Sequence, residues 1–555
     1  MPHTDVFDFI VVGAGSAGCV LADRLSADGT NKVLLLEAGG SDRSIFIQMP
    51  AALAYPMNTK RWNWGYHSEP EPHLNNRRLH CPRGLGLGGS SSINGLVWVH
   101  GNPLDFEHWK NECGARGWGY AAVLQYFQRA EGREEGGDEY RGGAGPLSVS
   151  YGTLRNPLNQ AWLDAAREAG YDLTEDYNGY RQEGFGRMEM SVRKGTRCST
   201  AKAYLYPARK RTNLTVVQHA LATRVLFEGT RAVGIEYEQG GELHQVRAAR
   251  EVVLSGGSIN SVQLLKLSGI GPAGELKEQG IDVLVDRPGV GANLQDHLEF
   301  YFQMACTQPI TLFGKASLLG KAMVGAQWLF LRSGIGASNQ FESCGFIRSR
   351  AGIRYPDIQY HFFPMAINYD GSSLATEHGF QAHVGPMRSK SRGTVTLRSK
   401  DPREHPKIFF NYMSHPDDWD EMRACVRLTR EIFQQPAFAP FRGREIQPGA
   451  DCTSDEAIDA FIAQNVESAL HPSCTCKMGA ADDPLAVVDP ELKVIGVQGL
   501  RVIDSSVMPS ITTGNLNAPT IMIGEKGSDL VLGKDPLPPS NLPYYVAPDW
   551  ETAQR

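Results

Sequence analysis

The chain has 555 residues, more than one hydrophobic core can serve, so two or three structural units are expected. Its 41% hydrophobic and 21% charged residues are those of a globular protein, and a formal net charge of −6 excludes the basic stripe that nucleic-acid binding needs. Ten widely spaced cysteines exclude a disulfide framework and fit a reducing, cytoplasmic compartment.

In chain order, the first element is the apolar run at residues 7–12, predicted as a buried parallel strand. Gly13, Gly15 and Gly18 follow as G-x-G-x-x-G, then a helical pattern through Cys19, Ala22 and Leu25. KVLLLE gives a second strand that ends at Glu37. Each part has a physical task. Gly13 makes the tight turn, Gly15 and Ser16 let a pyrophosphate approach the helix N-terminus, and Gly18 packs helix on strand. Glu37 is placed to accept hydrogen bonds from ribose hydroxyls. GLGLGG at 84–89 matches the same spacing but follows Cys81-Pro82-Arg83, not a strand, so the chain holds one such unit. A single dinucleotide site points to a flavoprotein whose electrons leave to an acceptor other than NAD.

Later segments read differently. IQYHFF (358–363) and VTLRS (395–399) are strand-like, the first with an alternating pattern. AMVGAQWLFL (322–331), between Lys321 and Arg332, falls short of the roughly 18 residues a spanning helix requires and is predicted as a buried or surface-lying helix. Beyond Gly533 the chain carries five prolines and no helical period. Tyr544, Tyr545 and Trp550 predict that this tail, 534–555, docks on its own fold or on a neighbouring subunit.

HPSCTCKMG (471–479) looks like a ligand set, with His471, Cys474 and Cys476 close together. Tetrahedral coordination needs about four ligands, and no partner C-x₂-C or H-x₃-H exists elsewhere, so no metal is expected. A neutral imidazole acting as a base is the stronger reading of His471.

RGLGLGGSSSINGLVWVHGN (83–102), GGSINSVQLLKLSGIG (256–271), PGVGANLQDH (288–297), HPSCTCKMG and GLRVIDSSVMP (499–509) together resemble the sequence blocks of the glucose–methanol–choline oxidoreductases, in family order over nearly the whole chain. RWNWGYHSEPEP, QFESCGFIRSR, SHPDDWDEMR and TTGNLNAPTIMIGEK resemble its choline-oxidising branch. The resemblance implies an α/β fold with a Rossmann-like FAD-binding domain built from residues 1–155, 200–300 and 460–533. It implies a substrate domain with an antiparallel sheet from residues 156–199 and 301–459. Gly88, Gly89, Ser90 and Asn94 would lie along the flavin, with Asp504 and Ser505 near its ribityl chain. Ile93 stands where some relatives attach FAD through histidine, which implies noncovalent FAD. His471 would be the catalytic base and Asn515 its partner in the active site. Cys474 replaces the glycine of the family pattern and would strain the turn if that position has positive φ.

The same resemblance implies choline, or another small primary alcohol, as substrate. Trp64 and Glu342 would surround a trimethylammonium head, with His361 as a further pocket residue. The residues do not distinguish dioxygen from a quinone as electron acceptor; the resemblance favours a quinone or another respiratory carrier, reached by peripheral association with the inner face of a membrane. Oxidation of an aliphatic or aryl alcohol, and a non-redox FAD-containing lyase, are the other activities the family offers.

Overall fold

A computed structural model describes residues 6–367 and 377–555. Four strands run parallel: β1 (Val6–Val12), β2 (Val33–Glu37), β3 (Leu214–Gln218) and β4 (Glu242–Leu254), in the spatial order β3-β2-β1-β4. From Phe9 to the end of β1, and throughout β2, the residues are buried on both faces, as a covered parallel sheet requires. Leu221–Glu228 and Arg231–Gln239 extend the sheet as antiparallel strands beside β4, and Leu500–Val502 returns from far along the chain to pair with β4 in parallel.

Helix α1 (Ser16–Leu25) starts directly after the glycine turn. Gly13 has φ +98°, and a Cβ there would meet the Ser255 carbonyl at 2.6 Å; a Cβ at Gly18 would lie 1.9 Å from the Gly13 carbonyl. Both glycines therefore do the turn and packing work read from the sequence.

The second sheet is antiparallel. Its strands β5 (Leu298–Cys306), β6 (Ser343–Ile347), β7 (Ile358–Phe363) and β8 (Gly379–Pro386) lie in the order β5-β8-β7-β6, flanked by Arg442–Gln447 and Gly184–Arg187. All six residues of β7 are buried, against the one-sided pattern expected. The reason is a second covering layer: Trp162 stacks on Phe362 at 5.3 Å and meets Tyr360 and Phe433 edge-on or tilted at 5.4 Å, closing the face opposite the cavity. VTLRS supplies a short strand, Thr394–Thr396, in a separate two-stranded sheet.

Two further helices contrast in burial. The apolar segment near residue 322 forms α2 (Leu318–Leu331), which lies on the surface and buries only Gly320 and Trp328. Helix α3 (Asn517–Leu532), buried along nearly all its length, packs on α1, with Gly524 against Ala17 and Val20. No helix among the described residues is long and apolar enough to cross a membrane. The proline-rich tail lies along its own chain: Ser540 N–H donates to the Ala121 carbonyl at 2.7 Å, Tyr140 O–H to Pro543 at 2.8 Å, and Tyr545 N–H to Tyr180 at 2.9 Å.

Candidate active site

A cavity of about 540 Å³ runs from the glycine turn to the antiparallel sheet. At one end its wall holds Gly13, Gly15, Ser16, Glu37, Gly89, Ser90 and Asn94; Ser258, Asp504 and Ser505 continue it. A Cβ at Gly15 would meet nothing nearer than 3.9 Å, so this wall is open where a ligand backbone would approach the start of α1. Gly88 does not line the cavity. Its φ of +87° turns the loop, and a Cβ there would strike Ser92 Oγ at 2.2 Å. Gly18 also sits behind the wall, in its packing role.

Glu37 is more occupied than the sequence suggested. Its carboxylate accepts from the N–H groups of Ala14 (2.8 Å), Gly39 (2.7 Å) and Gly86 (3.0 Å), tying three loops together. A carboxylate has about four acceptor positions, so one remains beside Ala14 on Oε2. Asp504 is fully engaged: it accepts from Ser506 N–H and Oγ, from Gly257 N–H and from Ser261 Oγ, all within 2.8 Å. Its carboxylate thus fixes the wall of the cavity, which Asp504 itself lines. Ser505 Oγ sits 2.9 Å from Ser258 Oγ. These glycines, open amide edges and hydroxyls suit the pyrophosphate and polyol of FAD.

His471 stands at the other end, in the segment that first resembled a metal site. Among the described residues no cluster of three or more His, Cys, Asp or Glu is arranged to hold a metal. The segment is held by Asp296, whose Oδ1 accepts from His471 N–H (2.7 Å) and His297 N–H (2.9 Å), while Ser468 and Tyr412 hydroxyls bind Oδ2. Burial raises the Asp296 carboxyl to about 6 despite those hydrogen bonds. Cys474 adopts φ +73°, so the replaced glycine position does need the left-handed conformation. Its thiol is buried and pushed up to about 12 by desolvation.

The protonation of His471 follows from its neighbours. His297 Nε2 lies 3.0 Å from the Met387 carbonyl, which only accepts, so Nε2 carries the proton. Burial lowers His297 to about 4, so the ring is neutral and its Nδ1 offers a lone pair. That Nδ1 lies 3.0 Å from His471 Nδ1, which must therefore donate. His471 is itself lowered well below 6.5, first by burial and then by His297, which leaves Nε2 as an unprotonated, basic atom. Asn515 completes the arrangement. Its Oδ1 accepts from Gln359 Nε2 (3.0 Å) and His361 Nε2 (3.3 Å), which turns its Nδ2 toward His471 Nε2 at 3.1 Å. His361 thus lines the cavity but works by orienting Asn515.

Opposite these groups is an aromatic and acidic corner. Trp64, stacked on Tyr66 at 5.8 Å, lines the cavity with Tyr301 and Phe341. Glu342 does not line it. Its carboxylate accepts from Leu154 N–H (2.7 Å), Ser338 Oγ (2.8 Å) and Thr153 Oγ1 (3.3 Å), so it clips loops together, and the predicted substrate role fails. Two acids missed in the sequence, Glu299 and Glu467, line this part of the cavity, and Glu467 Oε2 accepts from Tyr301 O–H at 3.0 Å. Glu299 lies on β5 two residues before Tyr301, which pairs with His383 on β8; His383 in turn pairs with His361 on β7. Gln381 Nε2 donates to His383 Nε2 at 2.7 Å, so His383 Nδ1–H donates to Glu299 Oε1 at 3.3 Å. Burial raises the Glu299 carboxyl, the hydrogen bond from His383 lowers it, and the net shift is downward. It stays ionised, and its hydrogen bonds among the described residues involve Oε1 alone.

The comparisons with known proteins agree with this geometry. The family described as GMC oxidoreductase matches residues 7–299 and, through its C-terminal part, 389–524. The chain is 58% identical over 548 residues to an oxygen-dependent choline dehydrogenase of Brucella anthropi, covering 99% of this chain and 100% of the relative. It is 57% identical over 551 residues to a protein of the same name from Photobacterium profundum, covering 99% and 97%. Among solved structures, pyridoxine 4-oxidase from Mesorbium loti superposes with a TM-score of 0.86 at 30% identity, covering 95% of this chain and 99% of that one. A formate oxidase variant from Aspergillus oryzae gives 0.89 at 26% identity, covering 95% and 98%. The chain belongs to the GMC (glucose–methanol–choline) oxidoreductase family.

Proposed function

We propose that this protein oxidises choline to betaine aldehyde, and onward through the aldehyde hydrate to glycine betaine, with noncovalently bound FAD. The observation that carries the reading is the cavity itself, where an unprotonated His471 Nε2 and the Asn515 amide face an ionised Glu299 among Trp64, Tyr301 and Phe341. Choline has one alcohol and one permanent cation that donates no hydrogen bond. A carboxylate with aromatic faces is the chemistry that recognises such a head. The relatives named choline dehydrogenases support the same substrate.

In this reading Gly15, Ser16 and the Ser90–Asn94 loop hold the cofactor, with Glu37 offering its remaining acceptor position to a ribose hydroxyl. Ile93 offers no nitrogen for a covalent link. Bound flavin supplies two-electron oxidation chemistry. The chain supplies proton control and position. His471 Nε2 takes the hydroxyl proton, because an alkoxide loses its C–H hydride far more readily than an alcohol does. Asn515 Nδ2 donates to the developing oxyanion and, lacking a titratable proton, leaves His471 as the base. Glu299 draws the cationic head away from His471 and so fixes which end of choline faces the base. The electrons pass on to a quinone or another respiratory carrier at a membrane surface.

The test is an anaerobic mixture of the purified holoenzyme with choline, read as bleaching of the visible flavin band. Bleaching by choline that fails for a neutral alcohol of the same length supports the reading. Bleaching by the neutral alcohol alone would reassign the substrate, and no bleaching by any alcohol would sink the redox role. Acid precipitation that leaves the yellow colour in the supernatant supports noncovalent attachment.

A further inference from the structure

Helix α2 is built inside out. A surface helix of a soluble protein turns its apolar stripe inward. Here Trp328 is the one large side chain that α2 buries, with its indole N–H donating to the Gly195 carbonyl at 2.7 Å. On the opposite face Leu319, Met323 and Phe330, at i, i+4 and i+11, are exposed at 71%, 52% and 79%. Leu318, Leu329 and Leu331 widen the stripe. Exposed apolar side chains also lie on a neighbouring segment: Ile45 and Tyr55 stand out, with the Phe46 ring 5.0 Å from that of Tyr55. This segment approaches α2 through Met49, whose sulfur lies 3.3 Å from the position a Cβ would take on Gly336, beside Trp328.

Charge gives a second, independent indication. Residues 43–68 and 307–341 contain no Asp or Glu but carry Arg43, Lys60, Arg61, Lys315, Lys321 and Arg332, six cations on a chain of net charge −6. No salt bridge engages any of the six among the described residues; Arg43, Arg61 and Arg332 lie over the rings of Tyr206, Trp62 and Trp328, and Lys315 and Lys321 flank the exposed Leu318 and Leu319 in sequence. An apolar stripe bordered in sequence by cations that no carboxylate neutralises fits an anionic lipid surface, where the stripe enters the acyl boundary and the cations meet phosphate. It fits a second copy of this chain poorly, because a two-fold contact would face like charges against each other.

We propose that α2 and the Ile45–Tyr55 segment form a monotopic docking surface for a bilayer containing anionic lipid. With 14 residues, α2 lies in the plane of the membrane and does not span it. Leu53, Met57 and exposed Asn58, which continue the docking segment, belong to the wall of the active-site cavity. Docking therefore brings that end of the cavity to the lipid, where a lipid-soluble electron carrier is concentrated. Only this last point rests on the proposed membrane-side acceptor.

The experiment is co-sedimentation of the full-length holoenzyme with vesicles of phosphatidylcholine alone or mixed with phosphatidylglycerol. Binding to the anionic vesicles, weakened by salt and reduced about tenfold or more in a Leu319→Ser/Met323→Ser/Phe330→Ser variant, is the expected result. A Lys315→Glu/Lys321→Glu variant should lose binding with its apolar stripe intact. Choline bleaching of the flavin in solution should be unchanged in both, which separates failure of this surface from failure of the catalytic reading. Absence of binding to anionic vesicles, or binding that survives the triple substitution, would overturn the proposal. So would a dimer in sedimentation velocity that the same substitutions abolish, since the stripe would then belong to a second copy.

Discussion

Glu299, half-buried, and Glu342, buried, both stand at the ends of strands in one antiparallel sheet, and their surroundings set them opposite tasks. Glu342 has a backbone N–H and two hydroxyls around it, so its charge is spent on closing loops. Glu299 has one weak partner and a cavity beside it, so its charge is available to a cation. Burial alone does not mark a functional carboxylate. What separates the two is how much of the acceptor capacity the protein has already used.

The strongest way to sharpen this contrast is to remove the base that Glu299 is paired with across the cavity. His471→Ala should lower the rate of anaerobic flavin reduction by choline roughly 10²- to 10⁴-fold with FAD still bound. Glu299→Gln comes next. It should raise the KM for choline roughly 10- to 100-fold while barely changing that for a neutral alcohol, as expected for losing a charge-assisted contact. Equal losses for both alcohols would break the comparison. Glu342→Ala should leave the choline KM unchanged and cost about 1–3 kcal/mol of stability in denaturant unfolding, because buried donors lose their acceptor. A KM effect at Glu342 without destabilisation would reverse the assignment.

A further effect is spread over pH. His297 and His361 are lowered to about 4 by burial, and His471 is lowered well below 6.5 for the same reason. Unfolded, each takes up a proton near 6.5. Below that pH the unfolded chain binds more protons than the native one, so stability should fall as pH drops from 6.5 toward 4. The slope is about 1.4 kcal/mol per pH unit for each histidine, measurable from chemical unfolding at a series of pH values. Above pH 6.5 these groups contribute no slope, and the activity profile should show no acid limb near 6.5.

The parts of this molecule that were readable in sequence are those set by local geometry. The glycine turn, its helix and Glu37 lie within a few tens of residues, and each glycine answers to a backbone need that Gly13 and Gly18 display. The need for positive φ at Cys474 was likewise legible, because it is a property of one residue. The substrate corner was not. Alternation along HLEFYF puts Glu299 and Tyr301 on one face of β5, but which face meets the cavity depends on pairing Tyr301 with His383, 82 residues away. Glu342 was misread because the hydroxyls and amide that claim it come from Ser338, Thr153 and Leu154, two of them nearly 190 residues distant. For α2, the apolar run was plain, but nothing in it says that Trp328 alone turns inward. Gly88 shows the same limit at short range, since the loop signature names the residues without saying which of them line the cavity.

The unreactive thiol of Cys474 gives this chain an internal clock. All ten cysteines are free, and Cys474 lies three residues from His471 on the same strained turn. With desolvation holding the thiol at about 12, a maleimide or iodoacetamide has almost no thiolate to attack while that turn is closed. The rate at which this sulfur becomes labelled under native conditions therefore measures how often the catalytic segment opens, without any engineered probe.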